Sequence, residues 1–250
     1  MITPAPNVPA IASTPTFTDT EIKPSQTIAA NTTTPPTISE TLTLPPVSVI
    51  ATEVPPVKST PKLANIEWLT KFRGIPGIGV NPVDAWLNET GTTSDPTCRD
   101  TRSPSCDKHY RDPLVDNWAA IRLTEVKIVF YKDELEKLIT FSGVGSSISN
   151  WFHINRVLAS SWTTLVGRTY GYFSLEGDAG NGQRFFTASP YQGCTKDRIF
   201  TLVITKQVAS CAFDRHSSYP QFLFVTGDGW GYPENMTGIA LADSFAILIK

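Results

Sequence analysis

Two cysteines, Cys194 and Cys211, bracket the run Arg198 to Thr205, and this arrangement constrains the chain more than any other stretch. Within the run Phe200, Leu202 and Ile204 alternate with Thr201, Val203 and Thr205, the two-residue period of a pleated strand. A cystine between the two cysteines would staple that strand at both ends. Two further runs follow, Gln221 to Thr226 and Ser244 to Ile249. Both are short and almost wholly apolar, as strands buried on both faces are. Between them lies Gly227-Asp228-Gly229-Trp230-Gly231-Tyr232-Pro233, a loop dense in glycine and aromatics.

The same period recurs upstream. Val126, Ile128 and Phe130 alternate with Lys127, Val129 and Tyr131, while Ile121 and Leu123 fall on the opposite parity, which predicts a bulge near Thr124-Glu125. Lys132-Asp133-Glu134 predicts a hairpin turn into Leu135 to Phe141, with Leu135, Lys137, Ile139 and Phe141 on one face. A helix over Asp133 to Leu138 is the rival, favoured by good helix formers. Trp151, Ile154, Leu158, Trp162 and Leu165 have helical spacing, but the intervening serines and Asn155 leave helix and strand both open there. Tyr170 to Leu175 and Arg184 to Ala188 read as strands flanking the turn Gly177 to Gly182. Seven or eight short strands, with turn signals about every ten residues, predict an all-β fold, an antiparallel β-sandwich or jelly roll.

Composition divides the chain. Residues 1–62 contain no glycine, cysteine or tryptophan, and threonine and proline dominate. Such a segment cannot bury enough apolar surface to offset about 1–2 kcal/mol of backbone ordering entropy per residue, so a disordered, extended stalk or linker is expected. Its threonines suit O-linked sugars. Residues 63–250 are then one domain, with a loop-rich collar at 63–117 and a core from Trp118 onward. The collar has no clean periodicity beyond a short helix at Val83 to Leu87. Four cysteines permit three pairings; local pairing, Cys98 with Cys106 and Cys194 with Cys211, is expected because the two clusters lie far apart in sequence.

A net charge of −2 and a pI near 5.9 give no reason to expect nucleic acid or an anionic membrane as partner. No apolar run is long enough for a membrane span. Paired cysteines and three glycosylation sequons, at Asn31, Asn88 and Asn235, point to a secreted, extracellular protein. The opening Met1 to Pro6 lacks the basic and apolar regions of a secretory signal, so the natural N-terminus is expected to lie further upstream. No residue pattern fixes an oligomeric state.

Catalytic signatures are missing: there is no Gly-x-Ser-x-Gly, phosphate-binding glycine loop, paired-cysteine zinc pattern or His-Glu-x-x-His. His109, His153 and His216 are isolated in sequence and read as structural. Asp197 with Asp214, or Asp178 with Asp228, are the carboxylate pairs that would flank a glycosidic bond, but acidic residues beside turns ordinarily form the turns. No cofactor is expected. Asp178 and Asp228 are the candidate Ca²⁺ ligands, set in short, carboxylate-poor loops that ordinary turn chemistry also explains. Trp230, Tyr232 and Tyr219, with Asp228, are the candidate ligand-binding residues: flat aromatics at one end of a sandwich stack on sugar rings while a carboxylate accepts from hydroxyls. Alternatively they cap the core.

The Trp-rich opening followed by Val126-Lys127-Ile128-Val129-Phe130 resembles discoidin-type galactose-binding sandwiches over one strand pair, which implies a binding module and carries over no residue role. The expected function is therefore a non-enzymatic recognition or adhesion module for glycan or another extracellular protein. The alternative is a self-associating structural protein of the extracellular matrix. Mild proteolysis of unglycosylated protein is expected to remove the first sixty or so residues and leave a resistant core; equal resistance along the whole chain would contradict the composition break.

Overall fold

The computed structural model describes residues 67–101, 106–208 and 211–250; the Thr/Pro-rich segment and Asn31 lie outside the described residues. In chain order the elements are β1 (Leu69–Gly74), helix α1 (Pro82–Asn88), β2 (Thr92–Thr93), β3 (His109–Arg111), β4 (Glu125–Lys132), β5 (Leu135–Ser142), β6 (Val157–Ser160), β7 (Tyr172–Ser174), β8 (Gln183–Ala188), β9 (Ile199–Ile204), β10 (Gln221–Val225), β11 (Ile239–Leu241) and β12 (Ser244–Ile249). They form two sheets, ordered β2-β3-β1-β12-β4-β5-β6 and β11-β10-β9-β8-β7. Every strand pair is antiparallel except β2 with β3. The fold is all-β.

The hairpin forms. β4 and β5 pair without interruption from Glu125–Ser142 to Lys132–Leu135, leaving Asp133-Glu134 as a two-residue turn. Asp133 takes φ 51°, a left-handed conformation that aspartate tolerates, and its N–H donates to Asp243 Oδ2 at 3.0 Å. The helical rival fails because Leu135 to Leu138 pair with β4, while Asp133-Glu134 form the turn. The expected bulge sits at the entry to β4: the N–H groups of Thr124 and Glu125 both donate to the Lys250 carbonyl, at 2.9 and 3.2 Å.

The stretch 63–117 is more than a collar. It supplies β1, between β3 and β12, and α1, started by Pro82 and capped by Asn81 Oδ1 accepting from Val83 N–H. Phe72, Val83, Trp86 and Val115 belong to the main core, so the core does not begin at Trp118. Trp86 stands edge-on to Phe72, Trp118 and Trp151 at 5.8, 5.7 and 6.2 Å. The undecided Trp151 to Leu165 stretch is no single helix: it is a 3₁₀ turn, Ile154–Arg156, then β6, with Trp151, Trp162 and Leu165 buried from the flanking turns. Both sheets share one core, with Phe245 of the first lying 4.8 Å from Phe222 and 5.2 Å from Phe185 of the second.

One expectation about β9 is overturned. Phe200, Leu202 and Ile204 do not share a face, because Phe200 joins the main core whereas Leu202 and Ile204 join a second cluster with Ile199, Phe186 and Phe213. The pairing with β8 slips twice, so a constant two-residue period does not hold through either strand. Phe185 takes φ 40° at the first slip. Two buried threonines satisfy the backbone there. Thr187 Oγ1 accepts from the N–H groups of Phe200 and Thr201 at 3.2 and 2.8 Å, and Thr201 Oγ1 donates to the Phe185 carbonyl at 3.0 Å. Thr187→Val keeps the volume but orphans two buried N–H groups, and it is expected to cost about 1–3 kcal/mol per group left without a partner; denaturant unfolding at unchanged m-value checks this.

Candidate functional site

The Cys194–Cys211 cystine pins a loop beside the candidate residues. Cys98–Cys106 and Cys194–Cys211 both form, with Cα–Cα separations of 5.6 and 5.3 Å. The second ties the start of the segment Cys211 to Tyr219 to the loop before β9. This segment lies on the outer side of the second sheet, where Cys211, Phe213 and Tyr219 pack with Ile199, Leu202, Ile204 and Leu223. Tyr219 is thereby a structural clamp: its hydroxyl donates to the Asp214 carbonyl at 2.7 Å and accepts from His216 N–H at 3.1 Å.

Trp230 and Tyr232 flank Gly231, which makes a reciprocal pair of 3.1 Å hydrogen bonds with Ile199. Antiparallel geometry sets Arg198 opposite Tyr232 and Phe200 opposite Trp230, all four on one side of the ribbon. Glycine is needed at 231 because a side chain there would run into Ile239 and Val225. The two aromatics have different fates. Trp230 is half-buried, 4.3 Å from Phe200 and 6.0 Å from Tyr170, and packs on the main core. Tyr232 is 40% exposed. Each ring carries an arginine: Arg168 lies 5.9 Å from the Trp230 ring and Arg198 lies 5.4 Å from the Tyr232 ring. Both arginines are exposed, and among the described residues only the Nε of Arg168 is engaged by a carbonyl, that of Thr164.

Asp228 is exposed, but its carboxylate is committed. It accepts from Thr163 N–H and Thr163 Oγ1, tying the 227–229 loop to the turn after β6. Those two bonds, the hydroxyl first, hold its carboxyl below the usual carboxylate range. Asp178 is likewise turned inward on its own loop, accepting from Asn181 N–H, Asn181 Nδ2 and the Tyr191 hydroxyl. Among the described residues, the one grouping of three side chains with metal-ligand atoms is Cys194, Cys211 and Glu234, and its two sulfurs are bonded to each other. The described histidines are each fixed by hydrogen bonds. His109 is fully buried, its Nδ1 accepting from Ile75 N–H at 3.0 Å while Nε2 faces the Val80 carbonyl at 3.1 Å; burial pushes its pKa down to about 4, so the ring is neutral. Asp197 and Asp214 do come close enough to influence one another, but both are buried away from solvent. The sequon residues Asn88 and Asn235 are exposed.

Sequence reasoning missed one concave feature. A cleft of about 350 Å³ is lined by Leu87, Val115, Asp116, Trp118, Ser146 and Ile148, among others, and a second of about 230 Å³ adjoins it across Trp118 and Ser146. Its polar groups are largely engaged: Trp118 Nε1 donates to Ser146 Oγ, Ser146 Oγ to the Gly143 carbonyl, and Arg111 to both oxygens of Asp116. Of the trio Trp86, Trp118 and Trp151 only Trp118 lines the cleft, and the spacing of the three in sequence gives no hint that they meet.

Comparison of the chain with protein-family models, with curated proteins and with solved structures finds no match. No helix among the described residues is long and apolar enough to cross a membrane.

The different settings of the two aromatics lead to a measurable contrast. Trp230→Ala, which opens a space against Phe200, is expected to approach the about 3–5 kcal/mol typical of a buried aromatic, whereas Tyr232→Ala should stay within about 0.5 kcal/mol; thermal melts of the two single variants decide it.

Proposed function

We propose that this chain is a secreted, non-enzymatic recognition module, a disulfide-stapled β-sandwich that binds glycan through the edge carrying Tyr232. The observation that carries the reading is the exposed ring of Tyr232 with Arg198 beside it, continuous with Trp230 and Arg168. An aromatic face stacks on the apolar face of a sugar ring. Guanidinium groups with unengaged nitrogens supply paired donors to a carboxylate or sulfate. The ligand class that fits is thus an acidic glycan. Two cystines and exposed sequons support an oxidising, extracellular setting. Tyr219 and Asp228 serve this face indirectly, by fixing the loops behind it.

A glycan array probed with the full chain is expected to give hits enriched in carboxylated or sulfated sugars. Tyr232→Ala and Arg198→Ala should each abolish them with the melting temperature unchanged, and added salt should weaken them. Hits that survive both substitutions would move the site elsewhere. An empty array together with concentration-dependent self-assembly would favour a structural matrix protein.

A further inference from the structure

We propose that Asp214 is held as the neutral carboxylic acid, and that its ionisation loosens the Cys211–Pro220 segment that covers the second sheet. Asp214 ends the 3₁₀ turn Ala212–Asp214 directly after the cystine, and the residue is wholly buried. Among the described residues neither carboxyl oxygen, nor the buried Oε1 of neighbouring Gln183, makes a well-formed hydrogen bond, and the Gln183 side chain lies close enough to weigh on the carboxyl. Acceptors without donors are an unstable arrangement in a dry site, since a buried ion needs hydrogen bonds or a counter-charge. A proton on Asp214 removes the charge and supplies an O–H that the Gln183 amide oxygen can accept.

The charged groups that face Asp214 act in the same direction. From the loop before β9 comes Asp197, itself buried and bonded to Gln192 and Gly193 N–H; from the turn after Tyr232 comes Glu234, half-buried. Both are acidic. Gln183, at the start of β8, is neutral, and His216, two residues along, directs its Nε2 to the Phe213 carbonyl instead. Burial is the largest cause; the Gln183 side chain opposes it, the neighbouring carboxylates of Asp197 and Glu234 add to it, and the net effect pushes the Asp214 pKa up to about 6. The proton is therefore retained in mildly acidic solution and lost near neutrality.

Ionisation would be felt along the whole segment. The Asp214 carbonyl accepts from Tyr219, the carbonyls of Tyr219 and Pro220 accept from Gly79 and Gly77 N–H at 2.6 and 2.8 Å, and Ala212 N–H donates to Glu234 Oε2 at 3.3 Å. Glu234 belongs to the turn Pro233–Asn235, which follows Tyr232 directly. A charge at Asp214 thus strains both the clamp on the Ile75–Val80 loop and the turn behind the exposed tyrosine.

The test compares oxidised full-length protein with Asp214→Asn, which keeps the shape and stays neutral. A folded-state pKa above the unfolded value gives stability that is complete below about pH 4 and lost as pH rises through 6. Between pH 5 and 7.5 the unfolding constant of the wild type should therefore rise roughly tenfold more than that of Asp214→Asn. Parallel pH profiles would overturn the proposal. Carbon-13 titration of the Asp214 carboxyl in the wild type gives a second reading that does not depend on the variant folding: a midpoint near 6 supports the proposal, and one below about 4.5 overturns it. If Ca²⁺ at pH 7.5 raises the melting temperature of the wild type but not of Asp214→Asn, a metal ion rather than a proton fills the site, and the proposal fails. None of these measurements requires a glycan, so failure here leaves the binding reading untouched.

Discussion

The ring of Phe245 is the contact on which the two sheets depend. It lies on β12 within 5.7 Å of Phe72 and of Phe130 in its own sheet, and it meets Phe222 edge-on and Phe185 obliquely across the core. Gly74 faces the ring so closely that any side chain there would occupy the same space. Since β12 is the last strand in chain order yet sits between β1 and β4, the first sheet is incomplete until it docks. The pairing that completes this fold is also among its longest in sequence, which is the arrangement that folds slowly.

The second sheet solves a different problem. It is a meander of consecutive strands, apolar on both sides: one side faces the shared core, and the other is covered by the segment that begins at Cys211. Every residue of β9 is buried for this reason. The cystine Cys194–Cys211 fastens that cover at one end, and the hydrogen bonds of Tyr219 and Pro220 fasten it at the other. A cover made of loop must satisfy its own backbone, which explains why Tyr219 is committed to Asp214 and His216 rather than to a ligand.

What was legible in the sequence is what depends on local pattern. The β4–β5 hairpin, α1, the apolar runs that became β9, β10 and β12, and both cystines follow from local apolar pattern and spacing. β1 was not legible because it carries two buried cations: Lys71 pairs with Asp112, and an Arg73 nitrogen donates to the Cys98 carbonyl, so charges at these positions do not mark solvent. The slips between β8 and β9 were hidden because a bulge changes parity without leaving a compositional trace. For the candidate face, sequence picked out aromatics on a loop but not their burial: Trp230 packs inward, Tyr232 looks outward, and the two arginines beside them come from separate loops. Asp214 was visible only as one of two paired carboxylates, since the loss of its hydrogen-bond partners is a property of the folded cover.

Two buried titratable groups in this core pull stability in opposite directions with pH. His109 has its pKa depressed to about 4, so the stability that its neutral form contributes is complete above about 6.5 and is lost as pH falls through 4. Asp214 has its pKa raised to about 6, so its contribution is complete below about 4 and is lost as pH rises through 6. Across the interval from about 4 to 6 one contribution grows while the other declines, and the sum changes less than either. The groups sit at different places: His109 bonds to the backbone of the Ile75–Val80 loop, and Asp214 belongs to the segment whose Tyr219 and Pro220 carbonyls accept from Gly79 and Gly77 of that same loop. A flat global stability curve would thus conceal a local exchange, with acid weakening the histidine side of the loop and neutral pH weakening the aspartate side. The loop between β1 and α1 is where the two effects meet.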